Sequence, residues 1–463
     1  MRPPGAEVAG RRRRAAPRAG HGALVGLAAV LVVCPVASAL EVQRTTLDNG
    51  IRLALSQQNA VPIVAISCLV DGGARLDPVG KAGLAGITGD LLSEGTTGRS
   101  SQEIARIIDG LGGHFETGTG DDWISLSASV LARDYATGVD LIARSLREPT
   151  FAAEEFERRR TEILGEIQAA DEQPGAIGDR VFRQDLFGKA PYGHQVIGTE
   201  ADVRRLTRAD IIAFHERVVT PERTLCAVVG DLPVQAMRDA LAQRLGSWRH
   251  SGKVAEPAGA TAPPARQVVV DRPLTQANVI LGQIGIARDD PDYFPVLVMN
   301  YILGGGGFTS RLMKSIRTDA GLAYSVGSMF ASTRLPGPFE IILQTKVETA
   351  ARAVELARKE VERMRAEGAT AKELEDAQAY LTGSFPLRLD STAKIAVFLS
   401  QVEYFGLGPD YIERYPDRVR AVTLEQVRAA AQKYLHPDAL IQVVVGPRDK
   451  LGALAGAAAA GSP

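Results

Sequence analysis

Arg317 and Tyr324 have residue types and a spacing that could serve chemistry. They stand seven residues apart and flank a predicted turn between a helix and a strand. A guanidinium and a phenol both donate hydrogen bonds and neither needs to titrate near pH 7, so together they suit a peptide carbonyl or an oxyanion. The spacing alone favours the plainer alternative, a surface arginine and an interfacial tyrosine.

A second stretch, GLAGITGDLLSEGT at residues 83–96, poses a problem of local structure. Its apolar residues predict one face of a helix, but Gly86, Gly89 and Asp90 fill the turns between them. Each interior glycine costs a helix about 1 kcal/mol relative to alanine. Helix propensity therefore does not explain why these residues occur here.

Other common types of catalytic site find little support. No two histidines beyond residue 39 stand four apart, so the two-histidine face of a zinc peptidase cannot be built locally. No G-x-S-x-G nucleophile elbow is present. The glycine run at 304–307 is not followed by the Lys-Ser/Thr of a phosphate loop, but it would let the backbone approach another chain closely.

The N-terminal 39 residues predict an export signal. They contain a basic segment at 11–14, an apolar stretch at 23–36 and Ala-Ser-Ala at 37–39. We expect cleavage before Leu40 and export to the periplasm. An uncleaved anchor, or a lipoprotein attached through Cys34, is the alternative. No later stretch has the roughly 18 uninterrupted apolar residues of a membrane span.

Composition indicates a globular chain of several domains. It has 463 residues, of which 45% are hydrophobic and 23% charged. Without the leader, 47 basic and 53 acidic residues remain, a net charge of −6, so there is no electrostatic case for nucleic acid. Cys68 and Cys226 each lie in an apolar, strand-like run. Export permits a disulfide between them, and buried free thiols are the alternative.

An internal repeat divides the chain into halves. Residues 203–230 and 419–446 align at an offset of 216 without a gap, with 8 of 28 positions identical. Both segments predict a threonine N-cap, an amphipathic helix, a proline turn and an apolar strand ending in glycine. Two copies of one pattern in this order indicate two homologous domains.

We therefore predict a signal peptide at 1–39, domains at 40–249 and 267–450, a Pro/Ala/Gly-rich linker at 250–266 and a low-complexity tail at 451–463. Strand signals open each half and long helical patterns follow. Each domain is predicted to be α+β, with a mainly antiparallel sheet packed with helices.

The block NYILGGGGFTSRLMKSIRTDAGLAYSVGS at 300–328 resembles the second domain of the M16 peptidases, in their bacterial two-subunit branch. This is the pitrilysin, insulysin and mitochondrial-processing-peptidase group. In the first half LDNGIRLALSQQ, VDGGARLDP and PYGHQVIGT agree with it, so the resemblance spans about residues 40–447. It implies two domains of the LuxS/MPP-like type.

In active members of that family, G-L-A is followed by H-x-x-E-H, whose histidines hold zinc and whose glutamate activates water. The resemblance places the first histidine at Gly86, the glutamate at Gly89 and the second histidine at Asp90. Glu166, 76 residues further on, matches the third zinc ligand. An acid usually found seven residues before that ligand is replaced by Arg159. The resemblance thus implies a degenerate zinc site and no metal in this chain.

The family's second-domain arginine and tyrosine match Arg317 and Tyr324. The resemblance therefore implies the non-zinc subunit of a heterodimeric endopeptidase, inactive alone. Zinc would be held by a partner subunit that carries H-x-x-E-H. An extended or unfolded peptide substrate would contact Gly304, Gly305, Gly306, Gly307 and Phe308. The alternative is a catalytically inactive scaffold or peptide-binding protein.

Overall fold

The structure is a computed structural model that describes residues 40–249 and 254–455. The predicted signal peptide lies outside the described residues, as do the first four residues of the predicted linker and the last eight of the predicted tail. Residues 254–266 of the linker form no helix or strand. Leu451 and Leu454, in the segment predicted as a tail, are buried in the core of the second half. The described fold therefore extends past residue 450.

The first half is built on a six-stranded sheet with the order β1-β2-β8-β3-β7-β6. Its strands are β1 Gln43–Thr46, β2 Arg52–Gln57, β3 Ile63–Asp71, β6 His114–Thr119, β7 Trp123–Leu131 and β8 Thr224–Gly230, and β4 Gly95–Thr96 with β5 Arg99–Ser100 form a separate small hairpin. Its helices are α1 Leu84–Leu91, α2 Ser101–Leu111, α3 Tyr135–Arg147, α4 Ala153–Ala170, α5 Pro174–Phe187, α6 Glu200–Arg205, α7 Arg208–Val218 and α8 Val234–Leu245.

The second half is built on a five-stranded sheet with the order β11-β12-β10-β13-β9. Its strands are β9 Gln267–Asp271, β10 Gln276–Ile284, β11 Ala323–Phe330, β12 Pro338–Lys346 and β13 Ile441–Gly446. Its α-helices are α9 Tyr293–Asn300, α10 Ala350–Glu367, α11 Ala371–Gly383, α12 Thr392–Tyr404, α13 Tyr411–Arg420 and α14 Leu424–Tyr434. Two π-helical turns lie at Tyr301–Gly305 and Met313–Asp319.

The two sheets share one topology. In each, a single parallel pair, β2 with β8 or β9 with β13, adjoins strands that are otherwise antiparallel. The repeated segments supply equivalent elements: Thr207 and Thr423 each accept the backbone N–H three residues on in a capping box, before helices α7 and α14. The predicted α+β architecture, with mainly antiparallel sheets, is confirmed.

Each half lends one helix to the other half's sheet. Helix α12 packs on β3 and β8 of the first sheet, where Leu399 contacts a layer of small apolar residues that includes Ala65 and Val229. Helix α5 packs on β10 and β13 of the second sheet, and the Phe182 ring lies against Gly282. This exchange covers the second face of both sheets.

Cys68 and Cys226 face each other across β3 and β8 and form a disulfide, with their Cα atoms 4.0 Å apart. The sequence left open a disulfide or two buried free thiols, and the structure has the disulfide. No helix among residues 40–249 and 254–455 is long and apolar enough to cross a membrane.

Candidate functional site

Helix α1 exists because its apolar face and its N-terminus are both satisfied. Leu84, Ile87 and Leu91 are buried in the core of the first half. Asp77 accepts the backbone N–H of Gly83 at 2.9 Å and of Ala85 at 2.7 Å, so a side chain from outside the helix caps it. Burial raises the pKa of the Asp77 carboxyl to about 8, although these hydrogen bonds oppose the shift.

The two glycines of α1 lie where the surrounding chain leaves no room for a side chain. A Cβ on Gly86 would stand 2.6 Å from the backbone oxygen of Val196. A Cβ on Gly89 would stand 2.0 Å from the Thr119 hydroxyl, which donates to the Ala85 carbonyl at 3.3 Å. Neighbouring groups thus occupy the space that side chains at these two positions would need.

An arginine forms hydrogen bonds with both acids near helix α1. Arg159 on α4 donates from Nε to Asp90 Oδ2 at 2.9 Å and from Nη1 to Glu166 Oε1 at 2.7 Å. Its guanidinium therefore links Glu166, which the resemblance matches to the third zinc ligand, with Asp90, which stands at the position of the second histidine. Burial raises the pKa of Asp90 above its ordinary value, although the Arg159 charge opposes this.

These residues do not fit a zinc ion. A catalytic zinc needs three protein ligands and an open position, whereas Asp90 and Glu166 are already bridged by a cation and Gly86 offers no donor. Among the residues that the structure describes, no group of three or more His, Cys, Asp or Glu is arranged to hold a metal.

Arg317 and Tyr324 are brought together by a tight turn. The Gly321 N–H donates to the Arg317 carbonyl at 3.1 Å, and Gly321 adopts a positive φ of 65°. The guanidinium carbon of Arg317 lies 5.5 Å from the centre of the Tyr324 ring and 5.0 Å from that of Phe308. The arginine thus lies beside two aromatic rings, as cation–π contacts require.

The two aromatic residues of this second group are open to solvent, and Arg317 is half-buried between them and the chain. Tyr324 and Phe308 are 75% and 74% exposed. Within the described part of the chain, no carboxylate pairs with Arg317 and no group accepts the Tyr324 hydroxyl. Two donors and an exposed ring are therefore free to meet an extended acceptor such as a peptide backbone.

The glycine run has a local packing role as well. A Cβ on Gly304 would stand 2.4 Å from the backbone nitrogen of Ser328 in β11, and one on Gly306 would stand 2.7 Å from the Tyr301 oxygen. Gly305 is exposed but would meet Asn300 at 2.9 Å. Only Gly307, with a φ of 57°, has open space around it. Three of the four glycines thus pack closely against the chain itself, Gly304 against β11 and Gly305 and Gly306 against the preceding helical turns.

Some residues around these groups carried no sequence signal. Thr119 fills the space beside Gly89 but lies 30 residues away in an ordinary strand. Tyr380 on α11 stacks on Tyr301 next to the glycine run, with ring centres 5.0 Å apart. Neither residue belongs to a recognisable motif, because only the tertiary fold brings them into contact.

The two groups lie beside equivalent sheet edges. Strand β6 ends the first sheet and contacts α1, and strand β11 ends the second sheet and carries Tyr324. On β11, the Asn300 side chain donates to the Ser328 carbonyl at 3.2 Å, so part of that edge is already bonded. A terminal strand exposes backbone groups to which an extended peptide can add.

Comparison with known proteins places these features in a family. "Insulinase (Peptidase family M16)" matches residues 52–200, and "Peptidase M16 inactive domain" matches residues 205–381. The second match begins in the first half and crosses the predicted linker.

Individual relatives cover most of the chain. An uncharacterized zinc protease of Mycobacterium leprae is 31% identical over 409 residues, covering 85% of this chain and 89% of its own. A crystal structure of a peptidase M16 inactive domain from Pseudomonas fluorescens is 30% identical, with a TM-score of 0.84, covering 88% and 98%. The non-peptidase homolog YmxG of Helicobacter pylori is 23% identical over 395 residues, covering 85% and 91%.

Proposed function

Since this chain belongs to the M16 peptidase family, we propose that it is the non-zinc-binding subunit of an exported heterodimeric zinc endopeptidase. The observation that carries the proposal is the contrast between the two polar groups. Arg159 bridges the acids at the degenerate zinc position. By contrast, Arg317 is half-buried and Tyr324 is exposed, and neither pairs with another described side chain by an ion pair or hydrogen bond.

In the proposed complex, a partner subunit with H-x-x-E-H supplies the zinc and this chain supplies hydrogen-bond donors. An extended peptide lies along a sheet edge, as in β-strand addition. Arg317 and Tyr324 donate to the scissile carbonyl as negative charge develops on its oxygen, without changing their own protonation states. Gly307 and Phe308, at the open end of the glycine run, contact the peptide.

A second candidate is an inactive M16-like scaffold or peptide-binding protein. One relative, from Helicobacter pylori, is named a non-peptidase homolog. The close packing of Gly304 and Gly306 against the chain itself also gives the glycine run a purely structural use. A scaffold does not need an Arg317–Tyr324 pair whose donors are left unused by the described side chains, and for that reason we prefer the peptidase subunit.

Export is part of the proposal. The Cys68–Cys226 disulfide supports it, since disulfides persist mainly in oxidising compartments such as the bacterial periplasm. The arginine-rich leader is consistent with the same destination.

The first test of the proposed heterodimer is to identify the protein that copurifies with this chain. The tagged chain is purified gently from its own host, and an equimolar companion carrying H-x-x-E-H is sought by mass spectrometry. In the reconstituted complex, Tyr324→Phe and Arg317→Ala are each expected to lower kcat on an unfolded peptide by about 10²–10³-fold, as removal of one oxyanion donor does.

Arg352→Ala provides a control, because Arg352 is an exposed arginine of α10 whose one ion pair among residues 40–249 and 254–455 is with Glu355. This variant is expected to retain full turnover. Full turnover in the Tyr324→Phe complex would reject the role of the phenol. A chain that arrives without a companion and is inert toward peptides would favour the scaffold.

A further inference from the structure

A cavity of about 320 Å³ lies between the two halves of the chain, apart from both polar groups described above. Six of its fourteen lining residues are aromatic, one from the first half and five from the second: Trp123, Tyr293, Phe330, Phe398, Phe405 and Tyr411. Two arginines, Arg288 and Arg388, also line it. A cavity of this size that combines aromatic rings with convergent charged groups can hold a small molecule that has both an apolar and a charged part.

Arg288 is held in place by aromatic side chains and not by a carboxylate. Its guanidinium carbon lies 3.6 Å from the centre of the Tyr293 ring, and Nη2 donates to the Tyr411 hydroxyl at 2.5 Å. Within the described ranges, neither Arg288 nor Arg388 forms an ion pair with a carboxylate. A fixed guanidinium with unused donors is the side chain that best binds a carboxylate.

The one acid in the lining is already satisfied by the protein. Asp122 accepts the Tyr192 hydroxyl at 2.7 Å on Oδ1 and the Arg334 backbone N–H at 2.8 Å on Oδ2. Arg75, which is buried, also lies 3.5 Å from Asp122 Oδ1. Asp122 therefore does not neutralise the cavity arginines, and their charge remains available to a ligand.

We propose that this cavity binds an organic monoanion whose carboxylate pairs with Arg288 and Arg388 and whose apolar body packs among the aromatic rings. The carboxylate can belong to a free aromatic acid or to the C-terminus of a peptide ending in an apolar residue. Both present the same chemistry to the cavity.

The surroundings select against a second negative charge. A neighbouring cavity of about 240 Å³ shares Arg288 with the first and is lined by Asp289 and Asp290. Asp289 and Asp290 would repel the second negative charge of a dianion. A monocarboxylate is therefore expected to bind better than a dicarboxylate of similar size.

The proposal is tested by calorimetric titration of the full chain, without any partner, so that the result is independent of the proposed peptidase role. The probes are 3-phenylpropionate, the peptide Gly-Gly-Gly-Gly-Phe and its C-terminal amide. We expect at least one of the two carboxylates to bind, and the amide to bind at least about ten-fold more weakly than the acid peptide if the peptide is the ligand.

Variants locate the binding. Arg388→Ala, at an exposed position, and Arg288→Lys, which keeps the charge but loses the planar donors, are each expected to weaken binding about ten-fold or more. Arg414→Ala is the matched control, since Arg414 lies on α13 and pairs with Asp410. It should bind as the natural chain does.

The outcomes separate the possible ligands. Binding of the peptide alone identifies peptide C-termini, and binding of 3-phenylpropionate alone identifies free aromatic acids. The proposal is overturned if neither carboxylate binds at millimolar concentration, if the amide binds as tightly as the acid peptide, or if Arg388→Ala changes nothing while the fold is intact.

Discussion

Arg159, Gly86 and Gly89 show how single residues shape the contacts around helix α1. Simple loss of the zinc ligands would leave a hollow and two acids, Asp90 and Glu166. Instead the guanidinium links the acids, and the backbone oxygen of Val196 and the Thr119 hydroxyl close on the helix. Neighbouring groups thus occupy the positions that the family resemblance assigns to zinc ligands, so restoring a metal centre there by ligand replacement alone is expected to be unfavourable.

Gly86→Ala tests the close packing around helix α1, because alanine adds the smallest possible side chain. The added Cβ would stand 2.6 Å from a backbone oxygen, so the chain around Val196 must shift. We expect a net loss of about 1–3 kcal/mol in the free energy of unfolding, even after the better helix propensity of alanine is included.

Gly165→Ala is the matched control for that variant. Gly165 lies inside α4, and a Cβ added there would have no other atom within 4 Å. The control is expected to gain about 0.5–1 kcal/mol. Urea denaturation of both variants measures the difference in the free energy of unfolding. If both alanines stabilise the chain equally, a side chain fits at Gly86 and the prediction is wrong.

At the scale of elements, helix α5 brings charged groups onto the second sheet. Glu340 of β12 is buried and faces Arg183 and Asp179 of that helix. Arg183 donates to Asp179 at 3.2 Å and to Asp121 at 3.3 Å. The arginine is thus shared among several acids. Burial, assisted by the charge of Asp179, raises the pKa of Glu340 to about 7.

This pKa predicts a pH-dependent stability. Between about pH 4.5 and 7 the folded chain retains the Glu340 proton that the unfolded chain has lost, so the free energy of unfolding falls as pH rises. Glu340→Gln has no proton to lose at this position, so its free energy of unfolding does not fall in this way. We expect the free energy of unfolding of the variant to rise relative to that of the natural chain as pH increases, by as much as about 3 kcal/mol at pH 8.

The comparison uses urea midpoints at pH 5 and pH 8. Glu348→Gln, at an exposed position shortly after β12, serves as the control and should show no pH-dependent gain. A difference between Glu340→Gln and the natural chain that stays constant with pH would reject the assigned shift.

At the scale of the whole molecule, the exchange of helices α5 and α12 joins the two halves. Each sheet is covered on one face by helices of its own half and on the other by a helix from the opposite half. Tyr404, at the end of α12, also donates to Asp71 Oδ1 at 2.8 Å in the first half. Neither sheet can therefore lose its borrowed helix without exposing apolar surface, which predicts cooperative unfolding of residues 40–455 as one unit.

Leu399→Ala tests this coupling. Leu399 is fully buried between α12 and the first sheet, so its truncation is expected to cost about 2–5 kcal/mol. Both halves should unfold in one calorimetric transition in the natural chain and in the variant. Val397→Ala, on the exposed side of the same helix, should cost no more than about 0.5 kcal/mol. Two separate transitions would contradict the interlocked arrangement.

The sequence by itself determined the periodic and local features of this protein. The repeat at 203–230 and 419–446 predicted two equivalent helix–turn–strand units, because caps, apolar periodicity and turn prolines are local signals. The family resemblance likewise predicted that Gly86, Gly89, Asp90 and Glu166 belong to one degenerate zinc site, and the Arg159 bridge brings Asp90 and Glu166 of that set together. Only the tertiary structure determined the features that depend on long-range contacts. These are the bridging position of Arg159, the filling of the space beside Gly89 by Thr119, the Cys68–Cys226 disulfide, the exchanged helices and the cavity lined by arginines and aromatic residues. These depend on residues far apart in the chain, whose contact is set by the packing of whole sheets and helices, and no local pattern encodes that packing.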